Sequence, residues 1–285
     1  MADIQWFPGH MAKSGRELAE SVKLADLIIE VIDSRIPGSS VNPDFKKIFM
    51  GHRRLIVLNK ADLADPVRSD KWKKHFRDTG FEAMTANSRN GDGLAQIRSI
   101  LRAAGEAKTG RQAERGVISR PLRAIVAGIP NSGKSSLINS LASKSAAKTG
   151  DRPGVTRRRQ WIRIGEGVEL LDTPGILWPK FENADVALHL AFTGAIRDEV
   201  YDIVDAAEKL LSTLCADYKD FVVARYGDIT DDTGDRSAYP FLERTGKRRG
   251  FLLKGGVIDL ERAAAIVLDE FRAARIGRIT LETPL

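Results

Sequence analysis

Eight residues in the middle of the chain could bind phosphate. Gly128–Ser135 reads Gly-Ile-Pro-Asn-Ser-Gly-Lys-Ser, which fits the pattern of a glycine, four variable residues and then Gly-Lys-Ser. The glycines let backbone amides close around phosphate oxygens, and the helix expected after the motif adds its positive end. We expect Lys134 to contact the terminal phosphates and Ser135 to offer its hydroxyl to Mg²⁺. The other expected phosphate contacts are Asn131, Ser132, Gly133 and Ser136.

A chance match in a glycine-rich loop is the alternative interpretation of this motif. The pattern requires a strand before it and a helix after it. An apolar run, LRAIVAG, precedes the motif, and the helical sequence SLINSLAS follows it. The context therefore favours a true phosphate-binding loop.

A second motif, Asp172-Thr-Pro-Gly175, ends a later apolar run. A carboxylate at the end of a strand can hold the water shell of Mg²⁺, and the Gly175 backbone N–H can reach a γ-phosphate. Alone, the four residues could form an ordinary turn. Together with the first motif they predict a site for a nucleoside triphosphate and Mg²⁺.

The motif Asn59-Lys60-Ala-Asp62 follows the strand-like run RRLIVL, where ligands of open α/β sheets bind. Asp62 can accept two hydrogen bonds from guanine, a pair of donors that adenine lacks. Asn59 would either address the N7/O6 side of the base or brace the phosphate loop, and the Lys60 stem would lie along the ring. Four residues alone could simply begin a solvated helix. With the phosphate motif present, they predict guanine.

A further short motif, Thr85-Ala86-Asn87, also follows a strand-like run. Its position after that run predicts that the Ala86 backbone N–H contacts guanine O6.

The elements that must position these motifs are predicted by apolar, β-branched runs at 25–33, 53–62, 81–88, 122–128 and 168–175. Several runs do not alternate with polar residues, which indicates strands buried on both faces of a mainly parallel sheet. Helix-like segments between them predict a doubly wound α/β domain. Residues 103–120 are small, polar and basic and predict a surface connection.

Helical patterns dominate after Pro179. The predicted organisation is therefore a nucleotide-binding domain over residues 1–180 and a smaller helical C-terminal domain over residues 181–285.

The composition bounds the partners and the compartment. The 285 residues carry a net charge of +7, which favours polyanionic partners such as RNA, with an anionic membrane surface as the alternative. The single cysteine, Cys215, can form no internal disulfide. No apolar segment has the length of a signal peptide core or a membrane span, so we expect a cytoplasmic protein without membrane contact.

The order of the motifs is unusual, because the base motif precedes the phosphate motif. Small GTPases usually have the phosphate motif first. A sheet tolerates any order of its strands if each returns to its place, so a circular permutation would preserve the pocket. The segment after Gly175, which responds to the γ-phosphate, would then run directly into the helical domain and could move it on hydrolysis.

With these motifs in place, the chain resembles the circularly permuted GTPases, and specifically the ribosome biogenesis GTPase A family. The N-terminal segment IQWFPGHMAKS, residues 4–14, is similar to the opening signature of that family, and residues 255–282 resemble its C-terminal end. The resemblance implies a protein that binds GTP and GDP with Mg²⁺ and assists late maturation of the large ribosomal subunit. We expect it to be a monomer. The resemblance also implies hydrolysis that is slow alone and is stimulated by the rRNA-bearing particle.

The resemblance further implies roles for three residues. Thr156 would complete the magnesium shell. His10 is similar to the proposed catalytic histidine of the family, and Ile176 stands where Ras-like enzymes have a water-orienting glutamine. Asn131 would help to hold K⁺ beside the phosphates. The plainer alternatives are a structural or RNA-contacting His10 and a loop-closing hydrogen bond from Asn131.

Basic residues that could contact rRNA occur in three clusters, each of which could instead be a solvated face. The clusters are Arg157–Arg159, Lys247–Arg249 and, on the last helix, Arg272, Arg275 and Arg278. Two rival functions remain open: a nucleotide-gated RNA-binding module with incidental hydrolysis, and a GTPase that works on tRNA or at a membrane.

Overall fold

The computed structural model describes residues 9–114, 116, 120–146, 161–165, 167–181, 183–230 and 238–284, without the side chains of 9, 10 and 143–146. Its main sheet has six strands, in the order β3-β2-β1-β4-β6-β5. All neighbouring strands are parallel except β5, which runs antiparallel to β6. The strands are β1 Leu27–Asp33, β2 Arg53–Asn59, β3 Glu82–Thr85, β4 Leu122–Ala127, β5 Trp161–Arg163 and β6 Val168–Asp172.

The helices cover both faces of this sheet and then continue as a bundle. They are α1 Gly9–Val22, α2 Phe45–Ile48, α3 Pro66–Asp78, α4 Leu94–Glu114, α5 Lys134–Ala146, α6 Ala184–Phe192, α7 Ile203–Asp217, α8 Lys219–Tyr226, α9 Pro240–Arg249 and α10 Leu260–Arg272. Short 3₁₀ turns occupy Ala61–Leu63 and Asp198–Val200.

Strand β1 shows why the sheet must lie between two helical layers. All seven of its residues are buried. Ile29 packs with Ile97 of α4 and Leu137 of α5 in one apolar cluster, whereas Ile28 belongs to another cluster with Leu18 of α1. Alternate residues of a strand point to opposite faces, so both faces of β1 are covered. The prediction of a doubly wound, mainly parallel sheet is confirmed.

Helices α6–α10 form the C-terminal helical part around their own buried residues. Leu210 of α7 and Val267 of α10 are completely buried there. The same cluster includes Ile36, Ile129 and Leu177 from the sheet-bearing part. The apolar core therefore continues from one part to the other, and the division at residues 180 and 181 stays a prediction.

Two expectations about secondary structure are wrong. Helix α4 continues through Gly105 to Glu114, although residues 103–120 were expected to form a surface connection. Ala104 and Lys108 are buried on α4, and the Lys108 amine donates to Asp26 and to the Pro121 carbonyl. These tertiary contacts hold a segment whose composition resembles that of a loop.

The last helix is also shorter than expected. Helix α10 ends at Arg272, and Ala274 has a φ of 53°, which interrupts helical geometry. Arg275 and Arg278 therefore lie in the segment after the helix.

No helix among the described residues is long and apolar enough to cross a bilayer.

Candidate nucleotide-binding site

The phosphate loop, residues 128–133, connects β4 to α5, and its glycines are required by close packing. A Cβ atom on Gly128 would lie 2.2 Å from the Val31 carbonyl oxygen, and one on Gly133 would lie 2.3 Å from Asn59 Nδ2. Both glycines have positive φ, 153° and 93°. The loop thus keeps the compact backbone that cradles phosphate.

Lys134, the first residue of α5, is buried beside this loop. Its Nζ donates to the Ile129 carbonyl at 2.7 Å. Burial lowers the pKa of Lys134 to about 8. The negative charge of Asp172 raises this pKa and offsets part of the effect of burial, whereas the positive charge of Lys60 lowers it further. An anion bound in the loop would offset part of this desolvation cost.

Ser135 and Asp172 meet at one end of the phosphate loop. The Ser135 hydroxyl donates to Asp172 Oδ2 at 2.9 Å. The two residues come together because β4 and β6 pair in parallel, with Asp172 opposite Val126. A hydroxyl and a carboxylate are hard oxygen donors of the kind Mg²⁺ takes, with its remaining ligands supplied by phosphate and water. Among the described residues there is no group of three or more His, Cys, Asp or Glu that could hold a metal ion.

Gly175 packs tightly against the phosphate loop. A Cβ atom there would lie 2.5 Å from the Pro130 Cα, and the following amide, of Ile176, donates to the Gly128 carbonyl at 3.2 Å. Gly175 therefore lies directly beside the phosphate loop.

Asn59 joins the base motif to the phosphate loop. Its Nδ2 donates to the Ser132 carbonyl at 2.9 Å, and its Oδ1 accepts from the Ser88 hydroxyl at 2.7 Å. Of the two roles left open by the sequence, this geometry favours bracing the phosphate loop. Ser132 itself is fully buried.

Asp33, at the end of β1, lies outside the sequence motifs but binds the base-motif residue Lys60. Lys60 Nζ donates to Asp33 Oδ2 at 2.9 Å, and Arg35 donates to both carboxylate oxygens at 2.9 and 2.7 Å. Burial alone would raise the pKa of Asp33, but Arg35 and Lys60 outweigh it and hold that pKa below its usual range. Lys60 also donates to the Asn131 carbonyl of the phosphate loop. The sequence signal was an acidic residue at the end of a mostly apolar strand.

The Thr85–Asn87 motif differs from its expected contact. The Ala86 amide donates to the Leu58 carbonyl at 2.8 Å, so it is engaged within the sheet and is not available to guanine O6. Thr85 ends β3. Asn87, Ser88 and Arg89 reach the cavity instead.

A cavity of about 860 Å³ is lined by residues from these loops. It is lined by nine of the residues predicted from sequence: Asn59, Lys60, Asp62, Asn87, Asn131, Gly133, Lys134, Ser135 and Ser136. Its opposite wall comes from the helical part, through Thr193, Gly194, Ile196–Glu199 and Arg272. Asn131 Nδ2 donates to the Gly194 carbonyl at 2.5 Å across this junction. Sequence patterns carry no signal for that wall, because its position depends on tertiary packing.

Several predicted residues lie outside the described part of the chain, namely Thr156, Arg157–Arg159 and the side chain of His10. The His10 backbone belongs to the first turn of α1. The next residue, Met11, is buried in the same apolar cluster as Leu177 and Trp178. The start of α1 and the segment after Gly175 therefore share one core.

The chain is similar to proteins described as ribosome-associated GTPases. A family model described as a 50S ribosome-binding GTPase matches residues 123–226. The chain is 44% identical over 283 residues to Ribosome biogenesis GTPase A of Bacillus cereus, covering 99% of this chain and 94% of that protein. It is 36% identical over 223 residues to Mitochondrial ribosome-associated GTPase 1 of Mus musculus, covering 74% of this chain and 66% of that protein.

A solved structure also resembles this fold. The crystal structure of GNP-bound YlqF from T. maritima has a TM-score of 0.67 and 27% identity, covering 95% of this chain and 98% of that chain. A GDP-bound YlqF structure gives the same TM-score, covering 94% of this chain and 99% of that chain.

Proposed function

This chain belongs to the ribosome biogenesis GTPase A family, and on that premise we propose that it binds and hydrolyses GTP as an assembly factor in late maturation of the large ribosomal subunit. The observation that carries the proposal is the hydrogen bond from Asn59 to the Ser132 carbonyl. It joins the base motif to the phosphate loop although the two are reversed along the chain. A circularly permuted GTPase domain accounts for both the order and the contact.

Asp62 is the proposed guanine-reading residue. It lines the same cavity as Lys134. A carboxylate there accepts hydrogen bonds from guanine N1–H and the 2-amino group, and an unmatched base leaves it unpaired.

Asp62→Asn tests this assignment. Xanthine has a carbonyl oxygen where guanine has its 2-amino group, so an amide donor suits it better than a carboxylate. We expect the affinity for GDP to fall by at least about 100-fold and the affinity for XDP to rise, as measured by calorimetric titration. Unchanged GDP affinity in a folded variant would remove the guanine assignment.

For the chemical step, we propose in-line attack of water on the γ-phosphate. Lys134 would exchange the Ile129 carbonyl for phosphate oxygens, and the Gly175 amide would contact the γ-phosphate. Ser135 and Asp172 would hold Mg²⁺, with Thr156 in the triphosphate state. A bound Mg²⁺ ion neutralises charge on the phosphate oxygens.

His10 is the proposed water-orienting residue, because the aliphatic Ile176 cannot orient water. The shared burial of Met11, Leu177 and Trp178 supports a position of α1 beside the segment after Gly175. We propose slow turnover alone and stimulation by the ribosomal particle. His10→Ala should abolish the stimulated turnover and leave GDP affinity unchanged. Unchanged turnover would favour the rival RNA-binding module, in which His10 only contacts RNA.

K⁺ would occupy a position beside Asn131. The Asn131 amide nitrogen donates to the Gly194 carbonyl, which leaves its side-chain oxygen as the proposed cation ligand. Replacing K⁺ by Na⁺ should slow turnover in the wild type and have little effect on Asn131→Ala. A wild type that is indifferent to the cation would argue against this role.

The proposed output of hydrolysis is movement of the helical part. Ile176 follows Gly175 directly, and its carbonyl accepts a hydrogen bond from the side-chain Nδ2 of Asn42 at 3.0 Å. Leu177 and Trp178 are then buried among residues of the helical part. A shift of Gly175 when the γ-phosphate leaves would thus be carried into that core over two or three residues.

The proposed partner is the rRNA of a large-subunit precursor, which a monomer of this chain would bind. The net charge of +7 and the basic end of α9, Lys247–Arg249, support contact with a polyanion. Sedimentation with precursor particles, in GDP and in a non-hydrolysable GTP analogue, should show nucleotide-dependent and salt-sensitive binding. Salt-sensitive binding to tRNA or anionic vesicles, without binding to particles, would favour the other rival.

A further inference from the structure

The C-terminal segment of residues 276–282, here called the C-terminal strap, crosses the loop that carries Asp62. The Arg278 guanidinium donates from Nε to the Ala64 carbonyl at 3.0 Å and from a terminal nitrogen to the Ala61 carbonyl at 2.8 Å. The Ile279 amide donates to the Leu63 carbonyl at 3.2 Å. Three carbonyls around Asp62 are therefore bound by two neighbouring residues of the strap.

The loop under the strap has little regular structure of its own. Ala61–Leu63 forms a single 3₁₀ turn, and Lys60 before it has left-handed backbone angles. Its backbone also makes hydrogen bonds from the Ala61 amide to the Ala86 carbonyl and from the Leu63 amide to the Lys60 carbonyl. Such a short turn depends on outside contacts to hold one conformation.

The strap itself is anchored both in the helical part and to the sheet-bearing part. Ile279 and Leu281 are buried in the core of the helical part. The Tyr218 hydroxyl donates to the Thr280 carbonyl at 2.9 Å, and the Thr280 hydroxyl donates to the Ser34 carbonyl at 3.0 Å. A Cβ atom on Gly277 would lie 2.4 Å from the Phe221 ring. Arg278 therefore extends from a fixed backbone.

We propose that Arg278 is a positioning residue for guanine selectivity, a role that rests on the proposed reading of guanine by Asp62. Two hydrogen bonds from one carboxylate to one base edge need a fixed orientation, whereas a single bond tolerates small rotations. By binding the Ala61 and Ala64 carbonyls, the guanidinium fixes the turn between them in the orientation that makes both bonds. The helical part thereby sets the base selectivity of the nucleotide site.

The test compares two nucleotides that differ by one amino group. Hypoxanthine in IDP keeps N1–H but lacks the 2-amino group of guanine, so the ratio of the IDP and GDP dissociation constants reports the second bond to Asp62. In the full-length Arg278→Gln variant we expect GDP to bind about tenfold more weakly, the value of one oriented hydrogen bond to a charged group. IDP should weaken much less, so the ratio should fall.

Arg275→Gln is the matched control. Arg275 is exposed three residues earlier, and among the described residues its side chain has no hydrogen-bond partner. The control removes the same charge and should keep both affinities. Arg278→Lys retains the charge but not the planar fork that binds two carbonyls, so its ratio should fall part of the way. This milder variant also carries the test if Arg278→Gln does not fold.

The outcomes separate this inference from the function on which it rests. Equal weakening of GDP and IDP would overturn it, because Arg278 would then only support the fold; an unchanged ratio with unchanged affinities would overturn it too. In either case, Asp62→Ala should bring the ratio of the IDP and GDP dissociation constants close to one. If Asp62→Ala keeps the wild-type ratio, the proposed reading of guanine by Asp62 itself fails.

Discussion

At the scale of single residues, the charge balance of the site depends on Asp33. Its carboxylate is buried and accepts hydrogen bonds from both Arg35 and Lys60. Arg35 also donates to the Arg272 carbonyl at the end of α10, and Lys60 donates to Asn131 in the phosphate loop. One acid therefore fixes two cations that reach different walls of the cavity.

Asp33→Asn should be strongly destabilising because it leaves two neighbouring cations without their shared counter-charge. We expect the free energy of unfolding to fall by about 3 kcal/mol, as when one partner of a buried ion pair is removed. GDP affinity should fall as well, since Lys60 loses its orientation. Urea denaturation and calorimetric titration measure the two effects. Lys60→Met, which keeps the Asp33–Arg35 pair, should cost less stability; a loss at least as large would contradict the central role of Asp33.

At the scale of elements, the phosphate loop and the loop after β2 form a single unit. Asn59 donates to the Ser132 carbonyl, and Gly133 approaches the same amide so closely that no Cβ atom fits. Gly133→Ala should therefore push Asn59 away and distort both loops. We expect GDP to bind at least about tenfold more weakly, as when one or two hydrogen bonds are lost.

Gly110→Ala is the control for that experiment, measured by the same titration. Gly110 lies inside α4, and a Cβ atom there would meet nothing within 4 Å. This variant should keep wild-type GDP affinity and gain slightly in helix stability. Wild-type affinity in Gly133→Ala would show that the two loops do not depend on each other.

The predictable elements of the fold are those determined by local sequence, whereas the others depend on contacts between residues far apart in the chain. The five buried strands were predictable, because a mostly apolar run such as Leu27–Asp33 is typical of a buried strand. Strand β5 was not, since Trp161–Arg163 is three residues long at the edge of the sheet. The continuation of α4 past Gly105 depends on Lys108 contacts made only in the folded chain.

The site divides in the same way. The motif residues Asn59, Asp62 and Lys134 line one cavity, and each motif was recognisable from a short sequence pattern after a strand. The wall at residues 193–199 and the strap contact of Arg278 were not predictable, because they join segments far apart in the sequence. Short motifs identify local chemistry, whereas these contacts require the packing of the helical part.

Glu282 at the end of the strap gives a pH-dependent prediction. Burial would raise its pKa, but hydrogen bonds from His189 and Ser39 outweigh that effect and lower it. A carboxyl with a lowered folded-state pKa contributes stability above its ordinary pKa and loses it as pH falls through the folded-state value. Glu282→Gln should therefore reduce stability at pH 7, and its difference from wild type should shrink below the ordinary pKa of about 4.3.

Urea denaturation at pH 7, 5 and 3.5 measures that difference. Glu261→Gln, at an exposed position on α10, should match the wild type throughout. A Glu282→Gln deficit that stays constant across this range would mean that the carboxylate charge contributes nothing to holding the strap.

At the scale of the whole molecule, the two parts share a continuous interior. Ile36 and Ile129 of the sheet-bearing part lie in one apolar cluster with the bundle of α6–α10. The strap adds Leu281 to that cluster and hydrogen-bonds its amide to the Arg35 carbonyl at 2.8 Å. The nucleotide site therefore lies at a junction whose two sides should unfold together.

Deleting residues 276–285 should break that cooperation. The deletion removes Ile279 and Leu281 from the helical core and releases the Ala61 and Ala64 carbonyls. The intact chain should unfold in a single transition, and GDP at 100 times its dissociation constant should raise the free energy of unfolding by about 2.7 kcal/mol. In the truncated chain, calorimetry should show two transitions, of which GDP raises only one and by less. Removal of residues 283–285 alone should keep the single transition; a truncated chain that unfolds once, with the full GDP shift, would show that the strap does not couple the two parts.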